Sequence, residues 1–191
     1  LSPVQVGDGV TAVATGGIHS LFLKGDGSLW AAGYNARGQL GDGTTTDRPT
    51  PILVDTGVTK IEAGGSHSLY IKSDGTLWGM GYNSNGQLGD GTTTNRLSPF
   101  QISSEVVEVS GGSAHTLFVK ADGTLWGMGY NVYRQLGDGT GISRLSPVPI
   151  ASQVAKVSSG SSHSLFLKTN GSVLGMGGSN AGQLGDGTTT T

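Results

Sequence analysis

The histidines of this chain stand at 19, 67, 115 and 163, spaced 48 residues apart each time. Trp30, Trp78 and Trp126 share the spacing, with Leu174 in the fourth slot, and so do Asp42, Asp90, Asp138 and Asp186 and Pro3, Pro51, Pro99 and Pro147. A fixed period in this range marks a repeat architecture, in which each unit buries its apolar faces only against its neighbours. The chain is four copies of one unit, 1–48, 49–96, 97–144 and 145–191, without insertion or deletion between them, in one continuous array.

Within the second copy, Val58 to Ala63 leads to a small-residue corner, Gly64-Gly65-Ser66-His67. Ser68 to Lys72 then runs to Asp74-Gly75, and Thr76 to Gly81 follows. Asp-Gly between apolar runs is a strong hairpin signal, because both residues tolerate positive φ. Asp26-Gly27, Asp122-Gly123 and Asn170-Gly171 repeat it. The last also makes an N-x-S sequon with Ser172, although a turn accounts for all four copies. A long loop, 82–96, precedes a short stretch opened by Pro99. No window has a 3.6-residue apolar period, so no helix is expected. Each repeat reads as four short strands, A to D.

Strand B is apolar on both faces in every copy: Leu21-Phe22-Leu23, Leu69-Tyr70-Ile71, Leu117-Phe118-Val119 and Leu165-Phe166-Leu167. A sheet with one wet face would alternate, so strand B must be covered on both sides. Strand D carries proline near its start, which suits an outer edge. Four-stranded sheets stacked face to face with such an edge are blades of a β-propeller, and the expected fold is all-β. A stacked solenoid is the competing architecture, and a 48-residue four-strand unit is too large for one of its rungs.

The chain also opens in mid-pattern at Leu1-Ser2-Pro3-Val4, so it reads as an excerpt or a processed product. Pro3 to Val6 matches strand D with no A to C before it, and the fourth copy supplies A to C with no D after it. The first strand can therefore complete the last blade. Closure as four blades, exchange of Pro3–Val6 in a homodimer of eight blades, and further repeats outside the chain all remain open, with a larger ring favoured.

With 35 Gly among 191 residues, only 13% charged residues and a formal charge of −2, the chain has no basic stripe with which to bind nucleic acid. The absence of cysteine removes disulfides and zinc–thiolate sites. No apolar run is long enough to span a bilayer as a helix.

The segments A-G-G-S-H-S-L at 63–69, D-G-T-L-W at 74–78 and G-Y-N-S-N-G-Q-L-G-D-G at 81–91 resemble the regulator of chromosome condensation repeat, and the match extends over all four copies. The resemblance implies a propeller, typically seven-bladed, in a family of mainly protein-binding platforms. Its members include an exchange factor for a small GTPase, a plant ultraviolet photoreceptor and a secreted bacterial β-lactamase inhibitor. This chain lacks the inserted wedge of the exchange factor and the tryptophan clusters of the photoreceptor. Its G-D-G-T-T-T endings look like the bacterial repeats of the family, which implies an extracellular or cell-surface bacterial protein.

Four histidines in register invite a metal or catalytic reading, but no carboxylate or second histidine accompanies any of them locally. They are expected to close the glycine corners by bonding otherwise unpaired backbone. The L-G-D-G aspartates are expected to be turn residues, since calcium loops need a denser alternation of oxygen ligands. The tryptophans are expected to pack inside the blades, and no nucleophile stands out. No catalytic residue, cofactor or metal site is expected.

Copy 3 breaks the pattern. It reads Val132-Tyr133-Arg134-Gln135 where the others have A-R-G-Q (36–39), S-N-G-Q (84–87) and A-G-Q (181–183), and Gly141-Ile142-Ser143 where they have T-T-[DN]. Alternating strands put this C–D loop and the A–B corner on one face of the ring. Val132, Tyr133, Arg134 and Ile142 have the composition of a contact patch, and neutral drift of a surface loop is the competing account. The expected function is a non-enzymatic scaffold that binds a protein of unknown identity through this loop face. A small-ligand or carbohydrate-binding propeller is the alternative.

Overall fold

A computed structural model describes residues 2–190; Leu1 and Thr191, the outer ends of the first and last repeats, lie outside it. Blade 1 consists of β1 (Val10–Thr15), β2 (His19–Lys24), β3 (Leu29–Gly33) and β4 (Arg48–Asp55). Blade 2 follows with β5 (Val58–Ala63), β6 (His67–Lys72), β7 (Leu77–Gly81) and β8 (Arg96–Ser103), and blade 3 with β9 (Val106–Gly111), β10 (His115–Lys120), β11 (Leu125–Gly129) and β12 (Arg144–Ala151). Blade 4 has three strands, β13 (Val154–Ser159), β14 (His163–Lys168) and β15 (Val173–Gly177). Every sheet is an antiparallel meander in chain order. The described residues include no helix, so none long and apolar enough to cross a membrane.

The inner strands β1, β5, β9 and β13 touch in succession, which fans the blades around an axis. Each blade interface is a separate core. Leu21, Leu23, Leu29, Ala31 and Leu40 of blade 1 pack on Val58, Ile61, Tyr70 and Met80 of blade 2. Leu69, Ile71 and Leu77 meet Val106, Val109, Phe118 and Met128, and Leu117, Val119, Leu125 and Leu136 meet Val154 and Phe166. In strand B, then, the outer two residues of each apolar triplet serve the following blade and the middle aromatic the preceding one. Burial follows: β6 and β10 are buried on both faces, whereas β2 and β14, on blades with one neighbour, are only partly buried. Val13 on the leading face of blade 1 is 66% exposed and Val173 on the trailing face of blade 4 is 65% exposed, so the ring is open.

Two local expectations need correction. The Asp-Gly hairpins are not two-residue turns with both residues at positive φ. Only the glycines lie there, Gly27 at 79° and Gly75 at 79°. Gly27 N–H bonds to Lys24 C=O while Lys24 N–H bonds to Ser28 C=O, a longer loop closed by a glycine bulge. Asp26 instead caps the turn, accepting from the N–H of Ser28 at 2.9 Å and its hydroxyl at 2.6 Å. Asn170 of the sequon does the same for Ser172 N–H.

Strand D also begins before its proline. β8 starts at Arg96, and pairing passes from Gly79↔Phe100 to Gly81↔Arg96. Pro99 therefore sits in an irregular stretch of the ladder, where a missing N–H costs nothing. Residues 2–7 form no strand; Val6 lies over blade 1, beside Phe22, Trp30 and Pro51.

Candidate functional site

The A–B corners and the C–D loops share one face, as alternating strands require, and are tied there by backbone bonds such as Tyr34 N–H to Ile18 C=O and Tyr82 N–H to Ser66 C=O. Each histidine begins strand B at this face. His19 Nε2 lies 2.9 Å from Ser68 Oγ, His67 Nε2 3.0 Å from Thr116 Oγ1 and His115 Nε2 2.9 Å from Ser164 Oγ. Every such bond crosses to the next blade. The hydroxyls donate onward to the C=O of Gln39, Gln87 and Gln135. With its proton spent there, each hydroxyl must accept from Nε2–H, which fixes a neutral imidazole. Burial depresses the His67 pKa to about 3, reinforced by His115 and His19, and depresses those of His19 and His115 to about 4. The corner glycines Gly16, Gly64 and Gly112 lie against these rings, and a Cβ on any of them would run into the imidazole. The histidines therefore bond a neighbouring blade's side chain, where backbone closure of their own corner was expected.

The C–D loop is organised by a buried asparagine that local reading did not single out. Asn83 Nδ2 donates to Asp90 Oδ1 at 2.8 Å and to the C=O of Thr92 and Thr94, while its Oδ1 accepts from Leu88 N–H. Asn35 and Asn131 repeat the arrangement. Its own N–H needs only an acceptor in one slot, which explains why Asp47, Asn95 and Ser143 interchange there. The aspartates hold Thr44, Thr92 and Thr140 and pair with Arg48, Arg96 and Arg144. Burial acts to raise the Asp42 carboxyl, but bonds from Thr44, Arg48 and Asn35 outweigh it and hold it at about 2. Blade 4 has Ser179 in the asparagine slot, and Asp186 there holds Thr188 alone. The 48-residue spacing of Asn35, Asn83 and Asn131 and of Arg48, Arg96 and Arg144 was the signal available for this hub. Among the described residues no cluster of His, Cys, Asp or Glu could hold a metal ion.

The irregular residues of copy 3 come together on the loop face. Val132 is 58%, Tyr133 49% and Ile142 64% exposed. Tyr133 meets Tyr130 edge to face at 6.0 Å between centroids. In blade 1 the corresponding loop places Arg37 over Tyr82 of the next blade. Arg134 has φ 61°, in the slot that Gly38 and Gly86 fill at 79° and 80°. Those glycines tuck beneath strand D of the following blade, with Leu97 and Leu145 within 2.7 Å of where a Cβ would stand. Blade 4 has no such strand, and Arg134 is exposed.

Solved structures share this architecture. Human WBSCR16 is similar at TM-score 0.87 and 26% identity, over 99% of this chain and 53% of that one. Prp20p from Saccharomyces cerevisiae, described with its binding to Gsp1p and histones, matches at TM-score 0.79 and 22% identity, over 92% of this chain and 46% of that one. The CRINKLY WD40 ectodomain of the Arabidopsis thaliana receptor kinase ACR4 matches more distantly, at TM-score 0.53 and 15% identity over 88% and 49%. This chain thus spans about half the length of each. The model of the RCC1-like domain matches residues 2–191, and with every repeat inside that match the chain belongs to the RCC1-like domain family of β-propellers.

Proposed function

We propose that the chain is a non-enzymatic propeller scaffold that binds a protein partner through its loop face, with Val132, Tyr133, Arg134 and Ile142 at the contact. The observation that carries this reading is the solvent exposure of three large apolar side chains on one loop face, beside a cation held in a left-handed backbone conformation. Aromatic and arginine side chains dominate the energetics of protein contacts, and strained backbone gathers where a surface is used. The yeast relative, described as binding Gsp1p and histones, uses proteins as ligands on the same fold. A small ligand would want a concavity, whereas a depression of about 370 Å³ lies elsewhere, on blade 1 against Ile18 and Phe22.

The test compares wild type with a V132S/Y133S/I142S variant in affinity capture from source cells, alongside a glycan array. A defined protein retained by wild type and lost by the variant supports the scaffold. Glycan binding that disappears in the variant moves the function to carbohydrate recognition.

A further inference from the structure

We infer that the trailing face of blade 4 and the leading face of blade 1 are the two halves of one interface, and that this chain pairs head to tail with a second copy. The same junction is built inside the chain between blades 1 and 2, 2 and 3, and 3 and 4. On the leading side it uses Ile61, Val109 and Val157, and on the trailing side Leu29, Leu77 and Leu125. Val13 and Val173 hold those same positions and face solvent. Depressions of about 190 Å³ and 220 Å³ mark the two faces, the first lined by Phe22, Trp30 and Pro51, the second by Leu165, Leu167 and Val173.

The polar half of the junction is also split between the two ends. Each internal junction joins a histidine to the hydroxyl 49 residues on. His163 is the donor left over on the trailing side, and Ser20, at the position of Ser68, Thr116 and Ser164, is the acceptor left over on the leading side. Glycine slots agree. Gly41, Gly89 and Gly137 make room for the sulfur of Met80, Met128 and Met176 in the following blade, and Gly185 has open space where the next blade would enter. Across the inferred junction it would receive Ala32, a smaller side chain in the methionine position. A face that continues an interface already made inside the chain fits a second copy of that chain better than any unrelated surface. A heterologous junction closes as a ring when the rotation allows it, and two chains give two identical junctions.

The test uses Val13→Lys and Val173→Glu, two substitutions at exposed positions that leave the monomer's cores untouched. Light scattering should give wild type a mass near twice 19.3 kDa and each variant alone a mass near 19.3 kDa. Mixing the variants should restore dimer, because one of the two junctions is then wild type on both sides and the other joins opposite charges. Ser20→Ala should weaken the dimer and shift the Nε2 resonance of His163, which a purely apolar junction would leave alone. A wild-type monomer at the highest concentration reached, single variants that still dimerise, or a mixture that stays monomeric would each overturn the inference.

Discussion

The imidazole of His67 and the hydroxyl of Thr116 meet at 3.0 Å across a blade boundary, and both side chains are wholly buried. The pair makes the histidine a bolt between modules. His67→Ala should leave the Thr116 hydroxyl without its donor and open a cavity, lowering stability by about 1–3 kcal/mol. Denaturant titration measures this. Added Zn²⁺ should leave the melting temperature of wild type unchanged; a zinc-dependent rise lost in the variant would restore a metal role.

Acid should unlock the same bolts. The folded-state pKa values of about 4 for His19 and His115 and about 3 for His67 lie below the ordinary 6.5, so the unfolded chain binds protons first as pH falls. Their contribution is complete above pH 6.5 and is lost on descending toward pH 4 to 3, by about 2 kcal/mol for each histidine at pH 5. Asp42 and Asp138, held at about 2, add to the loss only below the ordinary carboxylate range. Chemical denaturation at pH 7, 6 and 5 should show the decline, and a flat profile would contradict the neutral, buried imidazoles.

Asn83→Ala removes the hub of a loop that has no ladder of its own. Asp90, the carbonyls of Thr92 and Thr94 and the N–H of Leu88 would lose a partner together. A loss of about 2–4 kcal/mol is expected, larger than for an exposed loop residue. The equivalent change at Ser179, where the hub is already absent, should cost far less in the same melting assay.

Arg134→Gly should raise stability by about 1 kcal/mol, since glycine occupies the left-handed region without Cβ strain. If the scaffold reading holds, partner retention should fall at the same time. A variant that is stabler and binds equally well would separate the strain from function.

Residues 3–6 repeat the Ser-Pro-Val run of Ser146–Val148 in β12, and β15 has a free edge. We expect the partner's segment to add to that edge in the dimer. Removing residues 1–6 should then weaken association, as sedimentation equilibrium would detect; an unchanged dimer would leave the junction to face packing alone.

Much of this fold was legible because its signals are local. The apolar triplets of strand B, the Asp-Gly and Asn-Gly hairpins and the glycine corners each announce themselves within a few residues, and the strands fall where those signals put them. The start of strand D was less clear, since Arg96 pairs with Gly81 across an irregular ladder and only the proline inside it is conspicuous. The hydroxyls of Ser68, Thr116 and Ser164 were hidden for another reason. Each is an ordinary strand residue until it meets a side chain 49 positions earlier. Arg134 stood out as a break in the repeat, but its left-handed backbone belongs to the loop and cannot be read from its residue type.

The glycine, histidine and hydroxyl set of every repeat gives each blade a plug on one side and a socket on the other. Blade order therefore carries no information, because any copy can follow any other. A tandem duplication of one 48-residue coding segment would insert a module that already matches both neighbours. Such an array can lengthen or shorten by whole units without any new contact having to be invented, and its size is limited only by the angle at which successive modules turn.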